Sequence, residues 1–136
     1  MRLLLDTCAC LWIIENAKLA KAAVEALDQA FDDGEPVFVS PFTAWEVGLL
    51  SSRGRIVLTT EPLLWFRQLM AIPGAQPAPL GPEILVSASY LPGAPPRDPA
   101  DRIIIATARH EGFTVVTRDR LILDYAETGY LQAIAC

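Results

Sequence analysis

Five acidic residues in this chain stand where an acid contributes little to a core and a great deal to chemistry. Asp6 closes the apolar run Leu3–Leu5, Asp119 follows the run Phe113–Thr117, Glu46 interrupts the apolar stretch Ala44–Leu50, and Asp98 and Asp101 open a segment as Asp-Pro-Ala-Asp. Gathered at one place, such groups repel. Two carboxylates about 4 Å apart cost roughly 4 kcal/mol at an effective dielectric near 20, so a cluster needs protons or a cation. All-oxygen donors favour a hard divalent ion, Mg²⁺ or Mn²⁺, held through one or two carboxylates and a substrate phosphate. A pair of these ions about 3.5 to 4 Å apart activates water and stabilises the leaving oxygen of an in-line phosphodiester displacement. The chemistry expected is hydrolysis by metal-activated water, with no protein nucleophile.

Other mechanisms find little support. The only histidine, His110, lies two residues before Gly112 and reads as a helix C-terminal residue, which leaves no partner for a Ser/His/Asp or Cys/His arrangement. No Gly-rich phosphate loop of the Walker type occurs. A phosphotransfer domain using Asp6 as nucleophile is disfavoured because Asp6-Thr7-Cys8 lacks a second Asp two residues on.

Each acid also has a plainer role. Asp98, before a helix-opening proline, is a standard N-cap worth about 1 kcal/mol. Asp101 in the first turn favours the helix dipole by about 0.3 to 1 kcal/mol. Asp6 and Asp119 suit strand-end turns. Glu46 would need a basic partner if buried alone, since a lone buried carboxylate is costly. No lysine occurs after Lys21, so that partner would be an arginine or an early lysine.

The elements that must position these groups alternate. Arg2–Leu5 reads as a buried strand, Cys8–Glu15 and Leu19–Asp33 as helices with Gly34 at a C-cap, and Pro36–Ser40 as the next strand. Ser40-Pro41 opens a helix through about Ser52, with Phe42, Trp45 and Leu49 as its buried face. Pro62–Ile72 is a helix with Leu63, Phe66, Leu69 and Met70 inward, stopped by Pro73-Gly74. A short strand at Gln76–Leu80, a short helix at Pro82–Tyr90 and a proline-rich loop at Leu91–Arg97 follow. Ala100–Glu111 is a helix ended by Gly112, Phe113–Thr117 a strand, Leu121–Tyr125 a helix and Tyr130–Ile134 a last strand. The expected fold is α/β, three layers with helices on both faces of a central, mostly parallel sheet, in a single domain over residues 1–136. In such a sheet ligands bind beyond the carboxyl ends of the strands, which gives all five acids one edge to share.

Composition sets the outer bounds. A chain of 136 residues, 52% hydrophobic and 20% charged, is a globular domain able to bury roughly 68% of its unfolded surface. Its net charge of −5 argues against diffuse attraction to nucleic acid. Local positive charge survives, because five of eleven basic residues (Arg97, Arg102, Arg109, Arg118, Arg120) lie beside three of the acids. Arg97, Arg102, Arg118 and Arg120 are candidates for gripping phosphates, and Arg102 has an alternative as an ion-pair partner of a site acid. Three cysteines without zinc-ligand spacing fit a reducing cytosol, and the apolar start is too short for a signal segment or a membrane span. Trp12, Trp45 and Trp65 fall at helical core spacing and read as packing or a dimer seam before base-stacking platforms. The apolar helices carrying Trp12 and Trp65 suggest an exposed partner surface.

Four motifs in order, LLLDT (Leu3–Thr7), AWEVGLL (Ala44–Leu50), DPADRIIIATA (Asp98–Ala108) and VVTRD (Val115–Asp119), resemble the PIN-domain ribonucleases, specifically the VapC-type toxins of bacterial toxin–antitoxin pairs, over nearly the whole chain. The resemblance implies that Asp6, Glu46, Asp101 and Asp119 bind Mg²⁺ or Mn²⁺ for endonucleolytic RNA cleavage. It also implies that Asp98 assists through water and that Thr117 positions the last acid or a water. It implies further a homodimer and a cognate antitoxin whose C-terminal segment lies across the site. Many similar sequences carry His two residues after the first Asp, where this chain has Cys8, read as a small buried residue in preference to a metal ligand or redox contact. A catalytically silent PIN-like interaction module is the competing expectation, and the intact acid set favours catalysis.

Overall fold

Strands no longer than four residues hold a sheet here because the three central ones, Leu3–Leu5, Val37–Val39 and Thr114–Thr117, are covered on both sides. The computed structural model describes residues 1–136. In chain order the elements are β1 (Leu3–Leu5), α1 (Thr7–Ile14), α2 (Lys21–Asp32), β2 (Val37–Val39), α3 (Phe42–Ser52), α4 (Pro62–Met70), β3 (Ala75–Pro77), α5 (Pro82–Ser87), α6 (Pro99–Glu111), β4 (Thr114–Thr117), α7 (Arg120–Glu127) and β5 (Gln132–Ala135). The five strands form one sheet in the order β3-β2-β1-β4-β5. Every pairing is parallel, including the edge strand β5, so the sheet is wholly and not just mostly parallel.

Side-chain alternation along the strands divides the core in two. Leu3, Leu5, Val39 and Val116 face one layer with Ala9 and Cys10 of α1, Ala23 and Ala30 of α2, and Trp65 and Leu69 of α4. Leu4, Phe38 and Val115 face the other, against Ile104, Ile105 and Ala108 of α6 and Ile122 and Tyr125 of α7. The expected three-layer α/β/α architecture is the one observed.

Strand order reverses at β1. The chain moves outward from β1 through β2 to β3, then crosses back to lay β4 on the other side of β1. The crevice beyond the ends of β1 and β4 is therefore the switch point of the sheet, the place where ligands collect in this class of fold.

Local signals set the helix ends. Gly34 and Gly112 adopt left-handed φ values of 68° and 76°, and the amides of Gly112 and Phe113 both return to Ala108 O. Ser40 Oγ accepts from Phe42 N at 3.1 Å, and Pro41 already has helical angles.

Two buried faces differ from expectation. Trp45 is 57% exposed and packs on Phe42, while Thr43 and Val47 point inward from α3. On α4, Leu63 is exposed and Trp65 buried. Both helices are apolar around much of their circumference, so helical spacing did not single out the inward face. Exposed apolar side chains include Leu63 and Leu64 on α4, the helix that carries Trp65 as expected, together with Trp45 of α3 and Val24 and Phe31 of α2, while α1, the helix carrying Trp12, adds none of the large exposed ones.

Candidate functional site

Three of the five acids reach the switch point as helix caps. Asp6, first residue after β1, accepts from Ala9 N at 2.8 Å through Oδ1 and so opens α1. Asp119, two residues after β4, opens α7 by accepting from Leu121 N at 2.8 Å and Ile122 N at 3.3 Å. Asp98 opens α6, accepting from Asp101 N at 3.0 Å. The capping role expected for Asp98 is thus present, and Asp6 and Asp119 share it. A cap engages part of a carboxylate and leaves lone pairs aimed at the crevice.

Thr117 joins the first and last acids. Its hydroxyl donates to Asp6 Oδ2 and accepts from Asp119 N at 3.0 Å, a bridge between the ends of β1 and β4. Glu46 arrives differently, from the second turn of α3. Thr7 Oγ1 donates to Glu46 Oε1 at 2.5 Å, and Thr7 Oγ1 lies 3.1 Å from Thr43 Oγ1. Thr7 and Thr43 were not foreseen as site residues. The signals were present as a hydroxyl directly after the first Asp and another three residues before the Glu, one helical turn away.

The electrostatics report how near these groups are. Asp101 is pushed up to about 7, by burial first and then by Asp119, Asp98, Glu46 and Asp6, with no hydrogen bond to offset the rise. Burial also raises Asp6, against the opposing hydrogen bonds from Thr117 and Ala9, and Asp119 adds to the rise. Glu46 is raised by burial, opposed by Thr7, with Asp98, Asp6 and Asp119 raising it further. Asp6, Glu46, Asp98 and Asp119 thus all bear on Asp101.

No set of three acidic, histidine or cysteine side chains is arranged to hold one metal ion between them directly. The donor set nonetheless fits a hard cation. It is all oxygen, it carries uncompensated negative charge, and Mg²⁺ is commonly held through one or two carboxylates with water completing the shell.

Cys8 is exposed at the rim, not buried as expected. It sits in the first turn of α1, on the side turned away from the core. Its thiol is pushed up to about 11, by desolvation first and then by Asp6, Glu46, Asp119 and Asp101, a rise that favours the protonated form.

The arginines divide. Arg102 donates to Ala88 O at 2.8 Å and Pro96 O at 3.1 Å, tying the end of α5 and the proline-rich loop to α6, and makes no ion pair with a site acid. Arg118 donates to Cys136 O at 2.7 Å and Lys18 O at 3.3 Å, and its guanidinium stacks 3.3 Å from the Trp12 ring centroid. Arg97 and Arg120 are exposed beside Asp98 and Asp119, Arg120 paired only with Asp124 at 3.6 Å on the surface.

Fold and site together define a parallel α/β domain with an acid-lined crevice at its switch point. The chain belongs to the PIN domain family, whose pattern matches residues 3–127. It is 34% identical over 109 residues to Ribonuclease VapC22 of Mycobacterium tuberculosis, covering 80% of this chain and 79% of that protein. Its fold is similar to a crystal structure of VapBC2 from Rickettsia felis bound to a promoter DNA fragment, with TM-score 0.68, 12% identity, and 99% and 98% of the two chains covered. A crystal structure of DNA-bound VapBC from Salmonella typhimurium is also similar, with TM-score 0.65, 15% identity and the same coverage.

Proposed function

We propose that this protein is a divalent-metal-dependent endoribonuclease, Mg²⁺ or Mn²⁺ being the cofactor, and the toxin of a toxin–antitoxin pair. The observation that carries this reading is the grouping of acids at the switch point, where Asp6 and Asp119 cap helices beside the ends of β1 and β4, Thr117 bridges them, and Asp119, Asp98, Glu46 and Asp6 all bear on Asp101. Similarity to a named VapC ribonuclease over most of the chain supports RNA as the substrate.

In this reading Asp6, Glu46, Asp101 and Asp119 hold the cation, one or two of them directly and the others through the water that completes its shell. Bound there, it supplies Lewis acidity toward a phosphate oxygen and a more acidic water. Thr117 fixes Asp6 against the Asp119 backbone, and Asp98 caps α6 so that Asp101 faces the crevice. Arg97 and Arg120 grip flanking phosphates, while Arg102 and Arg118 hold the loops that carry the site.

The similar VapBC structures support a cognate antitoxin as partner. An open apolar groove of about 540 Å³, lined by Ile13, Leu19, Leu27, Phe31, Leu69 and Ile72, is available to it. No helix is long and apolar enough to cross a membrane. We place the protein in the cytoplasm as a homodimer, which equilibrium sedimentation tests directly.

The deciding experiment is cleavage of a defined RNA with and without divalent ions. Cleavage should require Mg²⁺ or Mn²⁺ and vanish in Asp101→Asn, with the circular dichroism spectrum unchanged. Undiminished activity in EDTA would sink the metal-dependent reading. Absence of cleavage of any RNA, with antitoxin binding retained in wild type and Asp101→Asn alike, would favour a silent interaction module.

A further inference from the structure

Among the proposed cation-binding acids, Glu46 alone comes from the middle of a helix, where no backbone amide is free to fix its carboxylate. Its orientation is set by side chains. Thr7 Oγ1 stands 2.5 Å from Glu46 Oε1, and an ionised carboxylate only accepts, so the single Thr7 proton is spent on Glu46. The contact of 3.1 Å between Thr7 Oγ1 and Thr43 Oγ1 then has one consistent direction, Thr43 donating to Thr7.

Both hydroxyls are out of water, Thr43 being 1% and Thr7 4% exposed, and Thr43 bonds no backbone carbonyl of its own helix. Thr107, equally buried in α6, shows the ordinary alternative by returning its hydroxyl to Ile103 O at 2.7 Å. At the first position of α1, Thr7 has no helical carbonyl four residues back to bond, so its rotamer rests on Glu46 and Thr43. The ordered chain Thr43 → Thr7 → Glu46 links the first turn of α3 to the first turn of α1, beside Asp6.

We infer that Thr43 is a positioning residue for the proposed ribonuclease site, aiming the Glu46 carboxylate at the cation through Thr7. The inference rests on the proposed function. Packing alone does not ask for threonine at this depth, because valine fills the same volume without a hydroxyl to satisfy.

The test is Mn²⁺ binding to the purified protein, followed by titration calorimetry beside RNA cleavage. Thr43→Val should weaken Mn²⁺ binding about tenfold, at the low end of the range for groups that orient metal ligands, with KM for RNA unchanged. Thr43→Ser, which keeps the donor, should restore most of it, and Thr107→Val should leave binding as in wild type. In a Thr7→Val background, Thr43→Val should add nothing, since its path runs through Thr7. Equal Mn²⁺ affinity in wild type and Thr43→Val, or full additivity of the two valine changes, overturns the inference while leaving the ribonuclease reading intact. If Thr43→Val does not fold, a Thr43→Ser protein that binds Mn²⁺ as poorly as Thr7→Val also overturns it. A wild-type protein that neither binds Mn²⁺ nor cleaves RNA removes both.

Discussion

Asp101 is the least compensated acid in the molecule, and its protonation ties stability to the cation. Its folded value of about 7 lies above the unfolded 3.8, so between those limits the folded chain holds a proton that the unfolded chain has lost. The associated stability is complete below the unfolded value and disappears as pH rises through about 7. Asp6 and Glu46 are raised too and act in the same direction. Without divalent ions the melting temperature should therefore fall as pH rises from roughly 4 to about 7. Asp101→Asn should make that slope shallower and leave the metal-free protein more stable than wild type above neutrality. Added Mn²⁺ should raise the wild-type melting temperature more at the alkaline end, where protons no longer compete for the ligands. Melting curves across pH, with and without Mn²⁺, check all three. A flat wild-type profile would count against the electrostatic picture.

At the scale of elements, the same side chains build helices and carry charge, and substitution separates the two jobs. Asn caps a helix as well as Asp does, whereas Ala in place of an N-cap costs about 1 kcal/mol. Asp119→Asn should therefore abolish cleavage with no loss of denaturant midpoint, while Asp98→Asn keeps most activity and Asp98→Ala loses about 1 kcal/mol of stability. Equal loss of stability in the Asn and Ala variants would contradict the capping geometry. This double use also explains why so much was legible beforehand. A cap residue before a helix-opening proline is a local signal, and it marked Asp98 with the start of its helix; an acid closing an apolar run marked Asp6 and Asp119 as strand ends, though not as the caps they also are. What stayed illegible was non-local. The carbonyls that engage Arg118 belong to residues 18 and 100 positions away, and Thr7 meets Glu46 across 39. No spacing rule joins such partners, because the sheet order that brings them together is itself a long-range result. Trp45 and Leu63 were misplaced for a different reason, since a helix apolar on several sides offers no single stripe to choose.

For the whole molecule, the net charge of −5 means that RNA is repelled at long range and must be held by a few local cations. In the proposed function that work falls to the exposed Arg97 and Arg120. The Arg120 pair with Asp124 is exposed and worth about 0 to 1 kcal/mol, so it yields readily to a phosphate. Arg118, stacked on Trp12 and bonded to the C-terminal carbonyl, is instead part of the frame around the site. Each phosphate contact on a single strand contributes about 0.7 to the slope of log affinity against log salt. Arg97→Ala and Arg120→Ala should each weaken RNA binding and reduce that slope by about this amount, with kcat little changed. Arg118→Ala should leave the slope as it is and lower the melting temperature, because it removes a cation–π contact and two hydrogen bonds. Binding of a non-cleavable RNA to Asp101→Asn protein across a salt series reads the slopes without interference from turnover. If Arg118→Ala and Arg97→Ala give the same slope change, the division between gripping and framing arginines fails.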